Sequence, residues 1–301
     1  MNTKEIIAKV EAEIQRTRNV QDKTAQLSRL KDIMALYMGE DKVVSFCEIA
    51  EKIRNQPEQL KIMTGWAVLD KIIKGFRQQQ LVVVSAFTKH GKTSWLMDLT
   101  TKIKEHNPLW FPFEEGAEEL ITKFIERGEE PPHGFVPEVM KGNTMEWIEQ
   151  KIIEGIVKYG SKIIFIDQLD FIVPMNSDNH ALRVGQAVRD LKTLAKKWNV
   201  CIFLICHLSK VSMTDNPTLE SLKGSSSIAQ EADTVILLWR ETIKKNGEIT
   251  TTNNTNVSVQ ANRRYGTTGN VKMVYNNGHY SEMDWRDEEL DKIKADDDIN
   301  F

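Results

Sequence analysis

The segment that most restricts this chain is Leu81–Thr93, LVVVSAFTKHGKT. Its first part is a short β-branched run that reads as a buried strand. Its last residues open GKTSWLMDLTTKI (91–103), which reads as a helix. Between them, Ala86 to Thr93 has P-loop spacing, with alanine in place of the first glycine. In such a loop, backbone N–H groups and a helix N-terminus turn partial positive charge toward phosphates. Lys92 can reach the β- and γ-phosphates, and the Thr93 hydroxyl can ligate Mg²⁺. Ala86, Lys89, His90, Gly91, Lys92, Thr93 and Ser94 are therefore the candidate nucleotide-binding residues.

Strand–helix alternation continues around this motif. LWFPF (109–113) reads as a strand, AEELITKFIERG as a helix, TMEWIEQKIIEGIVKYG (144–160) as a helix and IIFID (163–167) as a strand. ALRVGQAVRDLKTLAKKW (181–198) is a helix, and VCIFLIC and TVILLW (234–239) are strands. Continuous apolar strands between helices predict a central, mainly parallel sheet covered on both faces. Past 240 the helices stop, and NVSVQANRR (256–264), NVKMVY (270–275) and GHYSEM (278–283) predict antiparallel strands.

Polar residues at strand ends supply the chemistry. Asp167 ends IIFID, where ligands bind in open α/β sheets, and suits Mg²⁺ directly or through water. Glu114 and Glu115 follow LWFPF, and either carboxylate could activate the water that attacks the γ-phosphate. His207 ends VCIFLIC, where an imidazole could report whether the γ-phosphate is present.

Residues 1–57 carry apolar positions at helical spacing, Ile6, Ile7, Val10 and Ile14, then Leu27, Leu30, Ile33, Met34 and Tyr37. These amphipathic helices must pack on something, either as a cap on the main domain or as an arm on a neighbouring subunit. The net charge of -3 points to no nucleic acid, so a DNA contact has to come from a local patch. The three cysteines, Cys47, Cys201 and Cys206, lack metal-ligand spacing and fit a reduced cytosolic protein. No apolar run approaches the roughly 18 residues of a membrane helix, so no membrane partner is expected.

These elements in this order resemble the motor domain of the DnaB-type replicative helicases. The resemblance runs from Thr64 to about Met283, through TGWAVLDKIIKGFRQQQLVVVSA, AFTKHGKT, FPFEEGAEEL, IIFIDQLDFI, LKTLAKKWNVCIFLICHLSK, LESLKGSSSIAQEADTVILLWR and NRRYGTTGNVKMVY. It implies a RecA-like P-loop NTPase that takes ATP or dTTP with Mg²⁺ and moves along single-stranded DNA as a homo-oligomeric ring, a hexamer. Glu114 matches the family's catalytic glutamate and Asp167 its Mg²⁺-linked aspartate. His207 stands where phage and mitochondrial members carry histidine and bacterial members glutamine. Arg240 and Tyr275 match residues that flank the base, and Arg264 matches an arginine finger supplied across the subunit interface. LKGSSSI matches the DNA-gripping loop, with Lys223, Gly224, Ser225 and Ser226 on phosphate and Lys210 as a further contact.

The chain departs from the pattern at three places. Asn262 replaces a family lysine two residues before the finger, a loss that could slow hydrolysis unless Arg263 substitutes. Only about 50 residues separate Glu114 from Asp167, which implies a trimmed surface insertion. The bacterial N-terminal domain and the phage zinc-binding and primase domains have no counterpart, so the expectation is a minimal, phage-encoded motor in the host cytoplasm. The division expected is 1–57 helical arm, 58–283 motor domain and 284–301 acidic tail. That tail ends DDDINF and resembles phenylalanine-terminated replisome tails, so Phe301 is expected to dock a polymerase or another replisome protein. Two other functions fit a P-loop ATPase: a RecA or RadA-like recombination filament, and a nucleotide-gated loader or scaffold that unwinds nothing.

Overall fold

In a computed structural model of the chain, the described residues are 43–55, 60–128, 130–173, 180–208, 216–222, 225–245 and 248–283, together with Ala8. They divide between two units, Met1–Glu58 and Gln59–Phe301. In the first, helix α1 (Phe46–Asn55) is opened by Ser45, whose Oγ accepts from the Glu48 N–H at 3.2 Å and donates to its carboxylate at 3.1 Å. Phe46, Ile49 and Ile53 of α1 are exposed. The apolar positions expected at 6–37 and the tail 284–301 lie outside the described residues.

The second unit is built on one sheet. In chain order its elements are β1 (Lys61–Ile62), α2 (Ala67–Ile73), β2 (Phe76–Arg77), β3 (Leu81–Ala86), α3 (Lys92–Lys102), β4 (Leu109–Pro112), α4 (Ala117–Glu126), α5 (Met145–Tyr159) and β5 (Ile163–Asp167). They continue with α6 (Leu169–Ile172), α7 (His180–Lys197), β6 (Cys201–His207), α8 (Ser225–Glu231), β7 (Thr234–Lys245), β8 (Glu248–Asn262), β9 (Gly269–Asn276) and β10 (His279–Glu282). The eight-stranded order is β10-β9-β8-β7-β3-β6-β5-β4. Strands β7, β3, β6, β5 and β4 are parallel, and β8, β9 and β10 join antiparallel.

Strand periodicity distributes the core. Val82 and Val84 pack with Trp95, Leu96 and Leu99 of α3 and with Leu69 and Ile72 of α2. Leu81 and Val83 face Val188, Leu191 and Ala195 of α7 on the other side. Ile163 and Phe165 join the first cluster, Ile164 and Ile166 the second. Both faces being covered, the apolar runs are continuous rather than alternating, which is why they were legible as parallel strands.

The structure differs from the sequence reading in the antiparallel region. β7 runs on to Lys245 rather than stopping at 239, and β8 starts at Glu248 and ends at Asn262, so Arg263 and Arg264 leave the ladder. The extra rungs, Thr242↔Thr251 to Lys245↔Glu248, are mostly polar and carry no apolar period. The β1–β2 pair and α2 precede the P-loop strand, and these two-residue strands are too short for a sequence signal.

At the N-terminal end of the parallel strands, Lys192 of α7 pairs with Asp233, and both are largely buried. Asp233 also accepts the Leu81 N–H at 2.7 Å, and the Lys192 ammonium donates to the Gln79 carbonyl at 2.9 Å. Removing one partner of such a pair strands the other charge. Lys192→Met is therefore expected to destabilise the domain by about 3 kcal/mol, lowering Tm by roughly 6–12 °C. A thermal melt at wild-type Tm would show the pair to be energetically neutral.

Candidate functional site

The P-loop leaves the C-terminal end of β3, the central strand, between His207 at the end of β6 and Leu238 of β7. Gly91 takes φ 88° immediately before α3, a left-handed conformation that costs glycine little. A Cβ there would lie 2.4 Å from the Tyr280 hydroxyl, so the position tolerates no side chain. Lys89 also has positive φ, at 64°, and its side chain is exposed.

Lys92 is buried, and its ammonium donates to the Ala86 and Phe87 carbonyls at 3.4 Å each. Burial lowers its pKa, an effect opposed by Asp167 and Glu114. Thr93 donates its hydroxyl to Asp167 Oδ2 at 2.7 Å. Asp167 is 3% exposed, and burial pushes its carboxyl up to about 6 against the pull of the Thr93 hydrogen bond. Its Oδ1 is buried with no hydrogen-bond partner. An orphaned carboxylate oxygen beside a threonine hydroxyl and a lysine fits a hard cation that keeps few protein ligands and takes the rest from phosphate and water. Ser94 lies in the first turn of α3, where its carbonyl accepts from Arg127 at 3.4 Å.

The two glutamates after β4 have different surroundings. Glu115 is engaged by Lys123 of α4. Glu114 is exposed, and its backbone N–H donates to the Asp167 carbonyl at 3.1 Å, which fixes it beside that residue. His207 pairs in register with Ala86, and its Nε2 lies 4.0 Å from an Asp170 carboxylate oxygen.

His90 is turned into the fold. It is 2% exposed, and its Nδ1 accepts the Arg240 N–H at 2.9 Å. Burial, then Arg240 and Lys92, lower its pKa, so the neutral ring that can accept is favoured. Arg240 reaches the Thr252 carbonyl at 2.6 Å and Asn253 Oδ1 at 2.9 Å. Tyr275 is half-buried against Tyr280, with ring centroids 4.9 Å apart. Tyr280 and Asp98 are residues that sequence reasoning missed. Asp98, 1% exposed on α3, accepts the Tyr280 N–H at 2.8 Å and sits 3.0 Å from His279 Nδ1. This clamps the P-loop helix to β10. A charged residue at a core position of a helical pattern was the only available signal for Asp98.

Arg264 lies elsewhere. Asn262 pairs with Thr234, which pairs with Val82 at the start of β3, whereas the P-loop begins at its end. Arg264 is exposed just beyond Asn262. Arg263 donates to the Gln230 carbonyl at the end of α8. Asn262 is 5% exposed, and its amide donates to the Ile73 carbonyl at 3.3 Å and to Thr267 Oγ1 at 3.1 Å. It anchors the loop to α2 and faces inward. Of the DNA-loop candidates, Ser225 and Ser226 open α8, while Lys223, Gly224 and Lys210 lie outside the described residues.

A family model described as DnaB-like helicase C terminal domain matches residues 61–131 and 135–283. Among curated proteins, the chain is 23% identical over 284 residues to the replicative DNA helicase DnaB of Haemophilus influenzae, covering 81% of this chain and 59% of that protein. It is 22% identical to the replicative DNA helicase DnaC of Bacillus subtilis, covering 83% of this chain and 62% of that one. The chain thus spans about three fifths of the length of these relatives. Among solved structures, a DnaB-like replicative helicase studied for its interactions with primase superposes with a TM-score of 0.67 at 18% identity, over 93% of this chain and 77% of that one. A second solved structure, an ATPase domain on its own, superposes with a TM-score of 0.65 at 19% identity, over 79% of this chain and 97% of that one. The fold is the RecA-like α/β ATPase fold expected from the sequence.

Proposed function

The chain belongs to the DnaB-like helicase C terminal domain family, and from that premise we propose that it is the NTP-hydrolysing motor of a replicative DNA helicase. It works as a homo-oligomeric ring, a hexamer, that translocates on single-stranded DNA. The observation that carries this reading is the position of Arg264 relative to Lys92. The register from Val82 to Ala86 separates the two ends of β3 by about 13 Å at roughly 3.3 Å per residue. An exposed guanidinium beyond the far end serves no phosphate of its own protomer. Its use at a P-loop requires a neighbour, as a ring of head-to-tail subunits supplies.

Within each site, Lys92 and the P-loop backbone hold the triphosphate of ATP or dTTP, and Thr93 with Asp167 holds Mg²⁺. Bound there, Mg²⁺ would supply positive charge to offset that of the triphosphate. Arg240 and Tyr275 flank the base. His207, placed between Asp170 and the start of the P-loop, senses the γ-phosphate. Glu114 orients and deprotonates the attacking water, because Glu115 is already held by Lys123. Glu114→Gln is expected to lower kcat by about 10²–10³-fold, and Glu115→Gln by less than about threefold. Steady-state phosphate release decides between them, and the reverse order would assign the base to Glu115.

Lys223, Gly224, Ser225 and Ser226 of LKGSSSI, with Lys210, carry the DNA phosphates. The acidic tail ending in Phe301 binds a replisome partner such as a polymerase, and the protein works in the cytoplasm, the host's for a phage-encoded chain. Among the described residues no helix is long and apolar enough to cross a membrane. Strand displacement on a forked duplex tests the activity: unwinding should need both nucleotide and Mg²⁺. Hydrolysis stimulated by single-stranded DNA with no strand displaced would instead make the chain a nucleotide-gated scaffold.

A further inference from the structure

We propose that Tyr265 is the positioning residue that aims Arg264, and that Arg77 holds Tyr265 in place. The inference rests on the role in trans given to Arg264 above. The Arg264 guanidinium carbon lies 5.7 Å from the centroid of the Tyr265 ring, and the Lys74 ammonium lies 5.4 Å from the same centroid. Arg77 Nη2 donates to the Tyr265 hydroxyl at 3.1 Å. Three cationic side chains thus converge on one aromatic ring. Among the described residues, neither Arg77 nor Arg264 has a carboxylate within ion-pair distance, and Arg77 Nε is buried without a hydrogen-bond partner.

Like charges converge only when something compensates them. For Arg77 and Arg264 that compensation comes from the phenol oxygen and the ring face. A carboxylate would bind Arg264 more tightly but would neutralise the charge an incoming phosphate needs. A tyrosine orients the guanidinium and leaves that charge intact, which is the preorganisation electrostatic catalysis requires.

The backbone beneath is already fixed. Gly266 donates to the Asn262 carbonyl at 2.8 Å, and Arg263 to the Asp233 carbonyl at 2.7 Å. Thr267 Oγ1 donates to the Ile72 carbonyl at 2.5 Å. The remaining freedom of the finger is in the Arg264 side-chain torsions, and Tyr265 is the surface that restricts them. Arg77 comes from β2, the two-residue strand before β3. Its neighbour Phe76 is buried in the core against Phe203, which anchors the strand that presents Arg77.

The test uses the full chain with single-stranded DNA and compares Tyr265→Ala, Tyr265→Phe, Arg264→Ala and the double variant Arg264→Ala/Tyr265→Ala. Tyr265→Ala should lower kcat by about 10–100-fold, the loss expected of a misplaced catalytic group, with nucleotide KM and assembly unchanged. Tyr265→Phe keeps the ring but loses the hydroxyl that Arg77 holds, so it should recover only part of that loss. The double variant should be no slower than Arg264→Ala alone, because Tyr265 acts through the finger. Wild-type kcat in Tyr265→Ala, a kcat loss matched by lost assembly, or additive losses in the double variant would each overturn the proposal while leaving the finger assignment standing. Wild-type turnover in Arg264→Ala would overturn both.

Discussion

Lys92→Ala is expected to lower NTP turnover by about 10³-fold or more while leaving the fold at least as stable as wild type. The two halves of that result come from one environment. Lys92 is buried beside Asp167 and Glu114, and burial depresses its pKa. A lysine whose folded-state pKa is lowered works against folding at neutral pH, because the charged form is better solvated in the unfolded chain. Its contacts are two long hydrogen bonds to the P-loop carbonyls of Ala86 and Phe87. Removing it relieves that desolvation and deletes the charge that the proposed site turns toward the β- and γ-phosphates. Phosphate release and a thermal melt, measured on the same preparation, check both parts. Retained turnover would remove Lys92 from the phosphate site, and a collapsed melt would give it a structural role.

Arg264→Ala is expected to lower kcat by about 10³–10⁵-fold, the range of an arginine finger, with nucleotide affinity within about threefold of wild type. The asymmetry follows from when the charge is needed. A guanidinium that reaches the transferring phosphoryl group from a neighbour contributes most as charge develops there, and little to ground-state binding. Arg264 is exposed on its own protomer, so its removal leaves no buried group unsatisfied and should not alter the melt. Equilibrium binding of a nonhydrolysable nucleotide alongside kcat makes the comparison. An affinity loss as large as the kcat loss would mean that Arg264 binds ground-state nucleotide instead.

The parallel half of the sheet was legible because its physics is local. A strand buried on both faces must be apolar throughout, and β3, β5 and β6 are. That Lys92 and Thr93, at the start of α3, meet Asp167, at the end of β5, was legible because P-loop spacing and a strand-ending carboxylate both mark the same edge of a parallel sheet. The hairpin arms beyond Arg240 were not, since Thr242, Thr250 and Thr251 carry no apolar period. The Asn246-Gly247 dipeptide between them was the usable turn signal.

Glu114 and Glu115 are adjacent and chemically identical in the sequence. Lys123, nearly two turns into α4, engages Glu115, whereas Glu114 stays exposed beside Asp167. His90 looked like a loop residue open to nucleotide, yet its ring is a buried acceptor for Arg240, a partner 150 positions away. Asn262 looked like a lost cation at an interface, but its amide anchors the loop on α2. Each of these depends on long-range packing, which spacing along a chain does not encode.

Subunit complementation tests the shared site most directly. Lys92→Ala protomers keep an intact finger, and Arg264→Ala protomers keep an intact P-loop. Mixed in equal amounts and allowed to reassemble, they should form complete sites at about a quarter of the interfaces in a head-to-tail ring. The mixture is expected to hydrolyse NTP, which neither variant does alone. A mixture as inactive as its two components, in particles shown to contain both, would contradict the shared site.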